Sequence, residues 1–239
     1  MTIIKRINNA HLVINIVNND CKTMILIFPG GGYQLLSNRE SGPIATKFNY
    51  YTYNTAILYY SCHGLDSFSE AKEALKILSK DYPNIIVVGF SAGGHLAGLL
   101  GTEKDSKEYN LKGMVLCYPV ITLLDYTHED TCRNLLLNYN TLDNRIKYSV
   151  EKRVDSTTVP TFIWTTKDDE TVPYENTLMM IDALKKHNIY HESVIFDHGR
   201  HGLALADWTA VVLNDESFLN SDVARWFDMA LKFIRKVTE

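Results

Sequence analysis

The stretch from Asn84 to Leu100 constrains this chain more than any other. Asn84-Ile85-Ile86-Val87-Val88 is an apolar, β-branched run of the kind that forms a strand buried on both faces. It passes through Gly89-Phe90-Ser91-Ala92-Gly93 into Gly94-His95-Leu96-Ala97-Gly98-Leu99-Leu100, which reads as a helix start. A serine in so tight a strand-to-helix turn needs small residues two positions before and after it, because side chains there would strike the neighbouring strand and helix. Gly89 and Gly93 meet that need. The hydroxyl then stands above the sheet edge, beside a helix N-terminus with its free N–H groups and positive dipole end. This is the geometry of a nucleophile elbow. Gly and Ser are common enough that G-x-S-x-G arises by chance in roughly one chain in ten of this length. The other reading is a glycine-rich turn that merely opens a helix, so the rest of the chain must supply a base, an acid and an oxyanion hole in the right order.

The flanking segments alternate in type. Leu12–Val17, Thr23–Phe28, Asn54–Tyr60, Lys112–Tyr118, Thr161–Thr166 and Tyr190–Phe196 read as further strands. Helical segments open at Ser41-Gly42-Pro43 and at Ser67-Phe68-Ser69-Glu70, the latter in the S-x-x-E form of a capping box. Another follows Pro173, with Leu178, Ile181 and Leu184 on one face, and a last one from about Ser221 to Val237 buries Val223, Trp226, Phe227, Ala230 and Phe233. From Val120 to about Asn140 the pattern is irregular, and so long a connection in a compact domain usually forms a rim over a pocket. Strands alternating with helices imply right-handed crossovers and an α/β fold, with a mostly parallel central sheet covered on both faces. One domain over residues 1–239 is expected, without a large inserted cap.

Several function classes drop out. A net charge of −4 and a pI near 6.1 leave no footprint for nucleic acid or an anionic membrane surface. No apolar run approaches the length of a bilayer span, and the residues from Met1 to Asn9 lack the apolar core of a signal peptide, so a cytoplasmic location is expected. Cys21, Cys62, Cys117 and Cys132 are widely spaced without a C-x-x-C, the usage of reduced, structural thiols. No cofactor is implied: no G-K-[ST] follows Gly30-Gly31-Gly32, and no G-x-G-x-x-G follows the first strand. A metal site from Asp197, His198 and His201 lacks a further spaced ligand pair, and none is expected.

In an open α/β sheet, ligands sit beyond the carboxyl ends of the strands. Four loops emerge from that edge: Gly30 to Gly32, Phe90 to Ala92, Asp168 to Glu170, and His198 to Gly202. They carry backbone donors, a serine, carboxylates and histidines, in the chain order serine, acid, histidine. A serine hydroxyl is a poor nucleophile near neutral pH and needs a base within reach; the base in turn needs a carboxylate to fix its tautomer.

Pro29-Gly30-Gly31-Gly32-Tyr33, Ser37-Asn38-Arg39-Glu40, Gly89-Phe90-Ser91-Ala92-Gly93-Gly94-His95, Tyr118-Pro119-Val120-Ile121-Thr122, Thr127-His128-Glu129, Asp168-Asp169-Glu170-Thr171-Val172-Pro173 and Gly199-Arg200-His201-Gly202-Leu203 occur in sequence. Together they resemble bacterial α/β-hydrolase-fold serine esterases of the acetyl esterase and acetyl-xylan-esterase-like group, from about Phe28 to the final helix. Trp164-Thr165-Thr166-Lys167 departs from the group, which commonly has a histidine and an alanine there. The resemblance implies Ser91 as nucleophile and His201 as general base, with His198 the rival. It implies Asp169 as the acid, since Asp169-Glu170-Thr171-Val172-Pro173 has the group's D-x-x-V-P spacing, and leaves Asp168 to cap the turn. The oxyanion hole would be the backbone N–H groups of Ala92, Gly31 and Gly32. His95, one helical turn from Ser91, is read as structural. Tyr33, Arg39, Glu40 and His128 are candidates for substrate contact, although Arg39 and Glu40 could equally pair on the surface, and His128 with Glu129 could form a solvated loop face.

The expected function is hydrolysis of short, acetyl-type esters through an acyl-enzyme. The partner is a small-molecule or carbohydrate ester, and the absence of a large cap argues for a shallow site. A small peptidase related to the prolyl oligopeptidase catalytic domain, a thioesterase or acyltransferase, and a non-catalytic binding protein of the same fold are the alternatives. No propeller-like β-rich segment precedes the elbow, which weighs against the peptidase.

Overall fold

A computed structural model describes residues 1–239. Its strands are β1 (Thr2–Ile7), β2 (Ala10–Asn15), β3 (Thr23–Phe28), β4 (Asn54–Tyr59), β5 (Asn84–Phe90), β6 (Leu111–Cys117), β7 (Thr161–Thr166) and β8 (His191–Phe196). The helices are α1 (Gly42–Tyr50), α2 (Asp66–Ser79), α3 (Ala92–Gly101), α4 (Glu129–Leu136), α5 (Leu142–Tyr148), α6 (Glu175–Lys186) and α7 (Trp226–Thr238). All eight strands join one sheet in the order β1-β2-β4-β3-β5-β6-β7-β8. The β1–β2 and β2–β4 pairs are antiparallel and every other pair is parallel.

The parallel strands are continuous apolar runs because both their faces are covered. Along β5, Ile85 and Val87 point into one core, with α2, α3 and α6, while Ile86, Val88 and Phe90 point into the other, with α1 and α7. The two-residue side-chain period of a strand thus divides one hydrophobic run between two cores. From β3 the chain passes to β4 on one side and then to β5 on the other. This reversal opens a crevice at the carboxyl ends of β3 and β5, the usual ligand position in an open α/β sheet. The loop Gly30 to Gly32 and Ser91 both sit there.

Several local expectations are corrected. The strands begin earlier than the apolar pattern indicates, with β1 as a mostly exposed edge. Within the supposedly irregular segment, α4 buries Thr131, Cys132, Leu135 and Leu136, and α5 follows it. The Ser67–Glu70 capping box does not form: α2 begins at Asp66, and Glu70 turns away to accept from the Ser61 N–H at 2.8 Å and its hydroxyl at 2.6 Å. A tertiary partner has displaced the local one. On α6, Leu178 is 38% exposed, and Met180 joins Ile181 and Leu184 in the core instead.

Candidate active site

Ser91 follows β5 and precedes α3, with φ 53° and ψ −118°, outside the ordinary regions for a side-chain-bearing residue. The strain is held by the backbone around it: its N–H donates to the Cys117 carbonyl at 3.0 Å, and its own carbonyl accepts from His95 at 3.1 Å and Val120 at 3.2 Å. A Cβ at Gly89 would collide with the Gly93 carbonyl, and one at Gly93 with the carbonyls of Phe28 and Pro29. Both glycines are therefore sterically required.

His201 lies after β8, and its Nε2 is 2.8 Å from Ser91 Oγ. Its Nδ1 is 2.7 Å from Asp169 Oδ2, in a carboxylate whose side chain has no exposed surface. Asp169 Oδ1 accepts from the N–H groups of Thr171 and Val172, each at 2.9 Å. An ionised carboxylate only accepts, so Nδ1 carries the proton, Nε2 is the acceptor, and Ser91 donates to it. Asp168 and His198 lie apart from this chain of bonds. Asp168 accepts from Gly199 N–H at 2.6 Å and from His198 at 3.2 Å, and the His198 side chain is 87% exposed. Thr166 Oγ1, at the end of β7, donates to the Gly199 carbonyl. Asp168 and Thr166 thus grip both polar groups of Gly199, two residues before His201. Asp197 is bound up with Lys167, so Asp197, His198 and His201 face three different partners.

The glycine loop after β3 lies across from Ser91. Gly31 and Gly32 have φ of 129° and 63°, conformations that favour glycine. The N–H groups of Gly31, Gly32 and Ala92 donate to no protein acceptor. Asn134 on α4 donates to the Gly32 carbonyl at 2.9 Å, tying the loop to the segment from Val120 to Asn140.

Glu40 is drawn inward and does not pair with Arg39. Only 3% exposed, it accepts from Gly30 N–H at 2.9 Å and from the Tyr118 hydroxyl at 2.7 Å. That hydroxyl in turn accepts from Ala204 N–H at 3.0 Å, and the Tyr118 ring meets His201 edge-on at 5.0 Å. One buried carboxylate therefore ties the glycine loop to the loop that carries His201. Burial, with Glu40 alongside, pushes the Tyr118 hydroxyl well above its ordinary pKa and keeps it a donor. Glu40 and Tyr118 are 78 residues apart, and nothing in the sequence signals the bond.

Tyr33 does not contact the cavity, contrary to expectation. Its φ of 54° turns the ring inward, where it is fully buried and its hydroxyl is 2.9 Å from His95 Nδ1. His95 completes the pair by donating from Nε2 to the Tyr148 carbonyl at 2.8 Å, and burial lowers its pKa to about 4. His128 does reach the site: it stands at the start of α4, its Nδ1 2.8 Å from Thr131 Oγ1, and burial lowers its pKa. A cavity of about 330 Å³ opens over Ser91, bounded among others by Gly31, Gly32, His128 and His201, with Leu35 its one apolar side chain. Arg39 stands on its rim.

The sheet order, the two helical layers and the turn at Ser91 define the α/β-hydrolase fold. The prolyl oligopeptidase family matches residues 65–229, and the chain belongs to that family. It is 33% identical over 234 residues to endo-1,4-beta-xylanase B of Butyrivibrio fibrisolvens, a match covering 87% of this chain and 35% of that protein. It is 27% identical over 219 residues to the acetylxylan esterase of Xylanibacter ruminicola, covering 83% of this chain and 45% of that one. The chain thus spans less than half the length of these two relatives. Among solved structures, the acetyl ester-xyloside bifunctional hydrolase of Caldicellulosiruptor lactoaceticus superposes with a TM-score of 0.84 at 33% identity, covering 96% of this chain and 88% of that one. No helix is long and apolar enough to cross a membrane.

Proposed function

We propose that this chain is a serine carboxylesterase, acting as one catalytic domain, that removes acetyl-type groups from carbohydrate esters. The observation that carries the reading is the run of bonds from Asp169 through His201 to Ser91 Oγ, in a cavity that Gly31 and Gly32 also line and beside N–H groups that no protein acceptor uses. In this reading Ser91 Oγ attacks the ester carbonyl carbon while His201 Nε2 takes its proton. The negative oxygen accepts from the N–H of Ala92 and of Gly31 or Gly32, donors whose loss typically costs about 10²–10³ in rate. Collapse of the tetrahedral intermediate expels the alcohol oxygen, which receives the proton from His201. Water then repeats the sequence on the acyl-serine, freeing the acid and restoring the hydroxyl. Asp169 fixes the imidazole tautomer and stabilises its cation.

The small cavity with a single apolar side chain supports a short acyl group. Carbohydrate as the alcohol is supported by the names of the acetylxylan esterase and acetyl ester-xyloside hydrolase relatives. The family name raises peptide cleavage as the second reading. A panel of p-nitrophenyl acetate, butyrate and octanoate, an acetylated xylo-oligosaccharide, and glycyl-prolyl-p-nitroanilide separates them. Acetate is expected to be the best nitrophenyl ester, with kcat/KM falling at least about tenfold by octanoate. Faster cleavage of the anilide than of any ester would replace this reading with the peptidase.

A further inference from the structure

Beside the cavity over Ser91 lies a larger one of about 630 Å³, and the two meet along Arg39, Thr171 and His201. No apolar side chain lines it. Two of its charged residues are already engaged within the protein. Arg200 donates to Asp215 at 2.8 Å and to Ser217 at 2.6 Å, and Asp168 holds Gly199 and His198. Arg39 and Glu170 are different: neither makes an ion pair or a hydrogen bond to the protein, and the Nε of Arg39 is buried without an acceptor.

Arg39 is nevertheless held in position. Its guanidinium lies 4.2 Å from the centroid of the Phe218 ring, which Arg200 also contacts at 4.1 Å. Its Nη2 lies against Gly202, where even a Cβ would come within 3.2 Å. A fixed guanidinium with unused donors is suited to a ligand that brings the acceptors. The free carboxylate of Glu170 and the hydroxyl of Thr171 line the same chamber. A simple anion would satisfy Arg39 but face Glu170 and Asp168. A ring bearing neighbouring hydroxyls suits both signs, because each hydroxyl accepts as well as donates.

We propose that this chamber binds the alcohol half of the ester, a sugar unit whose adjacent hydroxyl oxygens accept from Arg39 and whose hydroxyl protons go to Glu170, so that Arg39 sets leaving-group specificity. The inference rests on the esterase reading above. Its direction agrees with that chemistry, because His201, which protonates the departing oxygen, lines both cavities.

The test compares kcat/KM for a monoacetylated methyl β-xyloside with that for p-nitrophenyl acetate, in the wild type, Arg39→Met and Glu170→Gln, with melting temperatures recorded for each. The ratio of sugar ester to nitrophenyl ester is expected to fall at least about tenfold in Arg39→Met, which loses hydrogen bonds to a charged group, and about threefold or more in Glu170→Gln, which keeps an acceptor oxygen but loses its charge. Glu170 is exposed, so its variant keeps the test open if Arg39→Met folds poorly. Unchanged ratios in folded variants that turn over both esters would overturn the subsite and leave the esterase reading standing. A wild type that favours an acetyl ester with a carboxylate on its alcohol over the xyloside would also overturn it. Absence of turnover with every ester would remove both.

Discussion

Replacing Glu40 by glutamine tests whether a single buried carboxylate couples the two halves of the site. Glu40 accepts two hydrogen bonds, from Gly30 N–H and from the Tyr118 hydroxyl, in surroundings that leave it 3% exposed. Glutamine offers one acceptor oxygen and one NH₂ group, so one of those donors must face another donor. Tyr118 escapes only by turning its proton elsewhere, and Ala204 N–H already donates to its oxygen. Hydrogen bonds to a charged group are worth about 1.5–3 kcal/mol, so Glu40→Gln should destabilise the fold by roughly 2–3 kcal/mol. For a chain of this size each kcal/mol moves the midpoint by about 2–4 °C, which gives a fall of about 4–12 °C in Tm. Activity should suffer as well. Gly30 precedes Gly31 and Gly32, which line the cavity with Ser91, and Ala204 lies three residues beyond His201. Slight misplacement of groups around a reacting centre can cost about 10²-fold, so kcat on p-nitrophenyl acetate should drop at least about tenfold. Thermal unfolding by circular dichroism and initial rates on the same preparation read both quantities. A variant within about 1 °C of the wild-type Tm and about twofold of its kcat would refute the coupling.

Asp169→Asn should lower kcat by about 10³–10⁴ through loss of the imidazole tautomer, while Asp168→Asn, which loosens only the exposed grip on Gly199, should lower it less than tenfold; steady-state rates in the reverse order would reassign the acid. His95 is buried neutral with a pKa near 4 against an ordinary 6.5, so the unfolded chain binds the extra proton between those values. Its contribution to stability is complete above pH 6.5 and is lost as pH falls toward 4, about 3 kcal/mol over that window. Urea midpoints for wild type and His95→Gln at pH 7, 5.5 and 4.5 should show a flatter acid limb in the variant; parallel limbs would disprove this account of His95.

Local chemistry in the chain accounts for the features that were legible in advance. Gly89 and Gly93 flank Ser91 at a spacing dictated by close contacts with Gly93, Phe28 and Pro29, so the turn could be read from five residues. The buried face of α2, with Ala71, Ala74, Leu75 and Leu78, follows from helical periodicity alone. Other features depend on distant residues. Glu70 has the form of a cap until Ser61 is brought beside it, and Tyr33 looks like a pocket residue until its positive φ turns it toward His95. The α4 segment hides its amphipathic pattern in eight mostly polar residues, and β1 is an exposed edge with little hydrophobic signal. The bond between Glu40 and Tyr118, and the pairing of Arg39 with Phe218, join residues far apart in the chain and leave no local trace.

The most direct test of Ser91 as the nucleophile is mass spectrometry of the protein after treatment with a fluorophosphonate probe, run beside p-nitrophenyl acetate hydrolysis. One adduct is expected, on the peptide containing Ser91, with hydrolysis lost as the adduct forms and neither adduct nor hydrolysis in Ser91→Ala. An adduct on a different residue, or ester hydrolysis that survives in Ser91→Ala, would contradict it.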